Sequence, residues 1–143
     1  SGTTKPDVLS YYAAVAEWLL PQRADRPVTR KRWVNDVGTD AHPGSMFFQK
    51  NIDASSTPSW VKTRSITHKT HENTYPLVND LATLTWLGQI ATLELHVPQW
   101  RFDADGDPFV AAARLIGSDV VVAGPASRGP GGLRLRGATV RLA

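Results

Sequence analysis

The residues whose spacing first suggests chemistry lie in Met46-Phe47-Phe48-Gln49-Lys50. Adjacent rings on an extended strand point to opposite faces, so a one-sided core takes at most one of them. The other is left to stack, and a ring stacked on a nucleic-acid base is worth ~1–3 kcal/mol. Lys50 falls two residues on from Phe48, on its face, where an ammonium could hold a phosphate. A two-sided core burying both rings remains open.

A second candidate is Arg30-Lys31-Arg32, a run of consecutive cations. On a strand it divides, with Val28, Arg30 and Arg32 on one face and Thr29, Lys31 and Trp33 on the other. A third is His96, flanked by Leu95 and Val97, with Glu94 on its own side and away from the apolar stripe. His42, His68 and His71 have no metal-ligand spacing with it, which argues against a zinc site. Asp103-x-Asp105-x-Asp107 offers carboxylates for divalent ions, but two-metal nucleotidyl transfer needs acids converging from one side of a strand. These three sit around Gly106 without a flanking apolar strand and read as a solvated turn. Gly129-Pro130-Gly131-Gly132 is followed by neither a lysine nor a helix signal, so it reads as a loop rather than a phosphate cradle. Walker, dinucleotide and nucleophile-elbow motifs are absent.

These residues need elements to hold them. Pro6–Leu20 has helical apolar spacing, with Asp7 at the positive end of the dipole and Pro21 as a stop. Strands are expected at Val28–Trp33, Met46–Lys50, Trp60–His68 and Thr74–Val78, with a polar turn over Lys69–Asn73. Asn79 reads as the cap of an amphipathic helix running to about Ile90, with Leu81, Leu84, Leu87 and Ala91 near one face. Leu93–Val97 alternates as a strand, with Leu93, Leu95 and Val97 inward. Beyond it, a short helix is expected from Asp107-Pro108 to before Gly117, a strand at Asp119–Ala123, a loop over Gly124–Gly132, and a hairpin over Leu133–Leu142 around Gly137. Elements in this mixed order predict an α+β domain with a largely antiparallel sheet.

The chain has 143 residues, 41% hydrophobic and 20% charged, which suits one folded domain. No apolar run approaches a membrane span and the N-terminus has no signal core, so a cytoplasmic protein without a membrane partner is expected. The absence of cysteine excludes disulfides, thiolate zinc sites and cysteine nucleophiles. A net charge of +3 suits a nucleic-acid partner without requiring one.

Several stretches together resemble the polymerase domain of bacterial ligase D, of the archaeo-eukaryotic primase superfamily and closest to its actinobacterial branch. They are Gly2-Thr3-Thr4-Lys5-Pro6-Asp7 leading into Tyr11-Tyr12-Ala13-Ala14-Val15-Ala16, then Arg26-Pro27-Val28-Thr29-Arg30-Lys31-Arg32-Trp33, Phe47-Phe48-Gln49-Lys50, Thr74-Tyr75-Pro76 and Leu93-Glu94-Leu95-His96-Val97-Pro98-Gln99-Trp100. The likeness covers residues 1–102 as the N-terminal part of such a domain and leaves 103–143 as a divergent Arg/Gly-rich tail.

The resemblance implies template-directed nucleotide addition at DNA breaks in non-homologous end joining, with ribonucleotides preferred. It implies that Lys5 holds the 5′-phosphate of a DNA end, that Phe47 and Phe48 stack on nucleic acid and nucleotide, and that Lys31, Arg32 and Lys50 lie near phosphates. His96 would sit in the nucleotide site. Nucleoside triphosphates, DNA ends and a ligase or Ku-type protein are the implied partners, and Mg or Mn the cofactor of the intact family.

Departures from the family pattern are also expected to matter. The chain begins inside the opening motif, and after Trp100-Arg101-Phe102 no Asp-x-Asp strand, serine/glycine/lysine motif or third aspartate follows. Residues 109–143 hold no lysine and are biased to Ala, Gly, Val and Arg, as an out-of-frame reading of GC-rich DNA would be; an evolved basic surface is the rival account. The expectation is a truncated end-joining polymerase that keeps its binding residues, lacks catalytic aspartates and binds no metal alone. The alternatives are an active nucleotidyltransferase using Asp103, Asp105 and Asp107 or a partner's ligands, and a non-catalytic interaction module.

Overall fold

The computed structural model describes residues 2–114, 120–129, 132–135 and 139–142. The chain divides into two compact units, Ser1–Val97 and Pro98–Ala143, so the division falls before the expected break after residue 102.

The first unit opens with α1, Lys5–Arg23. The Asp7 carboxylate accepts the Thr4 backbone N–H at 2.7 Å and the Thr4 hydroxyl at 2.6 Å, closing the helix start. These bonds hold the Asp7 carboxyl below its ordinary value. Tyr12 and Ala16 are buried, and Val8, Leu19 and Leu20 pack beside them. Pro21 does not stop the helix; it lies inside the last turn, which Ala24 closes by donating to the Leu20 carbonyl at 2.9 Å. A proline so near the end removes one hydrogen bond and leaves only two helical residues after it.

Asp25 follows with a φ of 56°. Its backbone N–H donates to Asn79 Oδ1 at 2.8 Å, and Asn79 Nδ2 donates to Asp25 Oδ1 at 2.7 Å. Asn79 is thus a tie between chain segments rather than the expected cap. The cap of α2, Leu81–Gln89, is Asp80, which accepts the Thr83 N–H at 2.7 Å. Leu84 and Leu87 are fully buried, whereas Leu81, expected on the same stripe, faces outward. Gly88 marks where α1 and α2 meet: a Cβ there would stand 2.7 Å from Leu9 Cδ2 and 3.3 Å from the Tyr12 ring. A larger residue would force the Leu9 side chain to turn aside and crowd the Tyr12 ring.

The helices pack against a three-stranded antiparallel sheet in the order β2, β1, β5, formed by Phe47–Gln49, Thr29–Arg32 and Thr92–His96. The expected strands are present, β1 and β2 shorter at both ends and β5 shifted by one residue. Val28 is fully buried, and Leu95 and Val97 pack against the core, so the Val28/Arg30/Leu95 side faces the helices. Tyr12 donates from its hydroxyl to the Thr92 carbonyl at 2.7 Å, and burial pushes its phenol up to about 12. Between β1 and β2 the chain folds on itself at Gly38, whose φ of 74° suits glycine, and Gly44 donates to the Val37 carbonyl at 2.8 Å. Thr63–Thr67 (β3) and Glu72–Pro76 (β4) form a separate hairpin. Its turn is tighter than the expected Lys69–Asn73, because β4 begins at Glu72.

In the second unit Arg101–Phe102 (β6) pairs with Pro108–Arg114 (β7). The expected helix from Pro108 is therefore a strand. A short apolar run does not distinguish the two, and a proline is as compatible with the first position of a strand as with that of a helix. Val120–Gly129 (β8) runs through much of the expected loop at 124–132. Gly132–Leu135 (β9) and Thr139–Leu142 (β10) both pair with β8, along different stretches, instead of forming a hairpin with each other. Gly137, the expected hairpin centre, lies outside the described residues. Every strand pairing among the described residues is antiparallel, and the fold is α+β as the sequence predicts.

Candidate functional site

The register of the three-stranded sheet assembles the site. Lys31 lies opposite Phe48 on one side and Glu94 on the other, giving a row Phe48–Lys31–Glu94 across β2, β1 and β5. His96 and Trp33, each two residues along its segment, extend that row on the same face. Across Phe48, Lys31 and Glu94 this face is the reverse of the side bearing Val28 and Leu95, which pack with the helices, whereas Trp33 lies past an irregularity in β1 and beside α1 and α2.

Its contacts are specific. The Lys31 ammonium donates to Glu94 Oε1 at 2.7 Å, and His96 Nε2 lies 2.9 Å from Glu94 Oε2. Lys31 Nζ stands 4.7 Å from the Trp33 ring centre and 5.8 Å from that of Phe48, within cation–π range. The His96 ring meets Phe48 edge-on at 5.4 Å. Phe48 is 56% exposed and His96 lies open beside it. The Lys31 hydrogen bond, then that of His96, holds the Glu94 carboxyl below the usual carboxylate range. The result is an exposed aromatic ring beside two nitrogen groups anchored from below by one carboxylate.

The opposite face of the same strands is different. Arg32 lies across from Phe47, with its guanidinium 5.5 Å from that ring, while its Nε donates to the Ile90 carbonyl and its Nη1 to Gln49 Oε1. Burial lowers its basicity. Arg30 is 2% exposed, donates to the Asn51 carbonyl at 2.7 Å and is pushed down to about 10 by desolvation and then by Arg32. The structure thus separates Arg32 and Phe47 from Lys31, Phe48 and His96, as strand alternation predicts, although the family resemblance groups them. Neither phenylalanine is buried; Phe47 is 44% exposed. Lys50 lies one residue past β2, exposed on the segment that Asn51 and Ile52 bind to Thr74.

Lys5, the first residue of α1, lines a cleft of about 170 Å³ with Thr3, Thr4, Trp33, Asn35 and Asp36. Trp33 belongs both to this cleft and to the Lys31 cluster, so it links the two candidate sites. Trp33 and Glu94 were not among the predicted site residues. Their signal was the period-two spacing, two residues from Lys31 and from His96.

Among the described residues no group of three or more His, Asp or Glu side chains could hold a metal ion. In the Asp103–Asp107 turn, Asp103 Oδ1 accepts the backbone N–H groups of Asp105 and Asp107 at 3.0 and 2.8 Å. Also among the described residues, no helix is long and apolar enough to cross a membrane.

A family model for the primase-polymerase domain of LigD matches residues 4–113. The chain belongs to that family. The match runs beyond residue 102, the expected end of the resemblance. The multifunctional non-homologous end joining protein LigD of Mycolicibacterium smegmatis is 51% identical over 107 residues, which cover 75% of this chain and 13% of that protein. The bifunctional non-homologous end joining protein LigD of Bacillus subtilis is 34% identical over 95 residues, 66% of this chain and 14% of its own length. The polymerase domain of Mycobacterium tuberculosis ligase D, solved in complex with DNA, superposes with a TM-score of 0.68 at 41% identity. That match covers 78% of this chain and 39% of the solved domain. The chain therefore spans a small part of the curated LigD proteins and a minority of the solved LigD polymerase domain. The family is one of end-joining DNA-repair polymerases.

Proposed function

We propose that the Phe48–Lys31–His96 face contacts an incoming nucleoside triphosphate and the nucleic acid beside it, and that the Lys5 cleft takes the 5′-phosphate of a DNA end. The observation that carries this is the exposed row itself: a ring open to stacking, an ammonium and an imidazole on one face, in a chain of the LigD polymerase family. Lysine suits the phosphate role as a compact point charge. Phe47 and Arg32 make a second, flanking surface on the other side of the strands, and Lys50 adds a cation past the end of β2. A LigD polymerase domain solved on DNA supports a DNA partner for this chain.

On this reading the chain binds and orients its ligands without itself supplying the metal-held centre of nucleotidyl transfer. Two facts support that part: the described residues do not offer a divalent-ion cluster, and Asp103 is committed to its own turn. Mg or Mn, expected for intact members, meets no such cluster of acids among the described residues. The experiment is binding of gapped DNA, with and without a 5′-phosphate, alongside primer extension in manganese. Phosphate-dependent binding without extension is expected. Equal binding to both DNAs would remove Lys5 from the reading. Extension lost in Asp103→Ala would make the turn the catalytic centre.

A further inference from the structure

Glu94 holds both polar partners of the candidate face at once. One carboxylate oxygen accepts from Lys31 at 2.7 Å and the other lies 2.9 Å from His96 Nε2. Like any glutamate it is ionised at neutral pH, and the same two partners, Lys31 first, lower its pKa further. An ion pair this exposed contributes little to stability. Its consequence is geometric. An ionised carboxylate only accepts hydrogen bonds, so His96 must carry its proton on Nε2. That leaves Nδ1 as the free ring nitrogen, beside the exposed Phe48 ring.

We propose that Glu94 is a positioning residue: it fixes the Nε2–H tautomer of His96 and holds Lys31 between Trp33 and Phe48, so that Nδ1 and the ammonium are presented together to a bound nucleotide. This rests on the functional reading above. Neutral His96 would then accept a ligand hydroxyl at Nδ1, while Lys31 keeps two ammonium hydrogens for phosphate oxygens.

The proposal predicts a sign opposite to that of simple electrostatics. Removing a negative charge from a phosphate-binding face should tighten a polyanion if Glu94 is a bystander. A positioning Glu94 predicts the reverse. In Glu94→Gln one amide oxygen can accept from Lys31 or His96, and the NH2 group can accept from neither.

The test has two readouts on the whole chain. Imidazole ¹⁵N shifts of free protein at alkaline pH should show the Nε2–H tautomer of His96 in wild type and a mixture in Glu94→Gln. Titration with ATP should show several-fold weaker binding for Glu94→Gln, with the fold retained and only a small drop in melting temperature at neutral pH. Unchanged tautomer and equal or tighter ATP binding would overturn the proposal while leaving the functional reading intact. Failure of wild type to bind ATP would overturn that reading, and the presentation role with it, whatever the tautomer result.

Discussion

The two faces of β1 use the same kind of side chain in opposite ways. Arg30 and Arg32 point toward the helices and donate to the carbonyls of Asn51 and Ile90 and the amide oxygen of Gln49, while Arg30 Nε is buried without a partner. Lys31, between them, points outward and meets a carboxylate, a tryptophan and an exposed phenylalanine. Arginine suits the inner role because its fork of donors can satisfy several acceptors in fixed directions. Lysine suits the outer role because its charge is compact and can be shared with an arriving phosphate. A run of three basic residues is therefore not one basic patch. Strand alternation divides it into a structural pair and a functional candidate.

The largest expected effect tests the inner face. Arg30→Ala leaves a cavity and an unpaired Asn51 carbonyl, and should cost about 2–4 kcal/mol of stability by chemical denaturation. Arg30→Met fills the space without a buried charge and should be far milder, since replacing a buried charge by an apolar residue of similar volume is often neutral. If both variants melt like wild type, Arg30 is not structural and the contrast between the faces fails.

Next comes the outer face. Phe48→Ala should lose ~1–3 kcal/mol of nucleotide or DNA affinity if the ring stacks. Its stability should stay within ~0.5 kcal/mol of wild type, as for an ordinary surface change. Melting and binding measured on one preparation decide this. A large loss of stability with affinity intact would make Phe48 a packing residue.

A smaller effect is expected at Lys5, at the edge of the same unit. Lys5→Ala should weaken binding to 5′-phosphorylated gaps more than to unphosphorylated ones, and reduce the salt slope of affinity by about 1. Equal losses on the two DNAs would show only a general charge contribution.

The smallest concerns pH. The Glu94 carboxyl is held below its usual value, so whatever stability its pairing gives is present above the unfolded carboxylate pKa and disappears as pH falls through the folded one. The melting difference between wild type and Glu94→Gln should shrink over that acid window. A difference that grows on acidification would contradict the assigned pairing.

Much of this contrast was legible in the sequence. Period-two alternation put Arg30 and Lys31, and Phe47 and Phe48, on opposite faces before any contact was known. It did not show which face the helices cover, because Val28 and Leu95 are too few to outweigh two arginines in a hydropathy pattern. Nor did it give the cross-strand register that sets Glu94 beside Lys31, sixty-three residues away. The errors at Pro21 and Asn79 share a cause: both residues usually act locally, and here the end of a helix and a long-range partner decided their roles. In the second unit the apolar residues after Asp107-Pro108 fit the period of a helix as well as that of a strand, and pairing with β6 and β8 resolves Pro108–Arg114 as a strand.

The central claim is that the Phe48–Lys31–His96 face, and not the Arg30 side, receives the ligand. The most direct test is an NMR titration of the whole chain with ATP, following side-chain signals: the Phe48 ring, the His96 imidazole nitrogens and the Lys31 ammonium against Arg30 and Arg32 Nε. The account predicts saturable shifts at the first three with the arginine signals nearly still. Shifts concentrated at the two arginines, or none at Phe48 and His96 while ATP is bound, would contradict it.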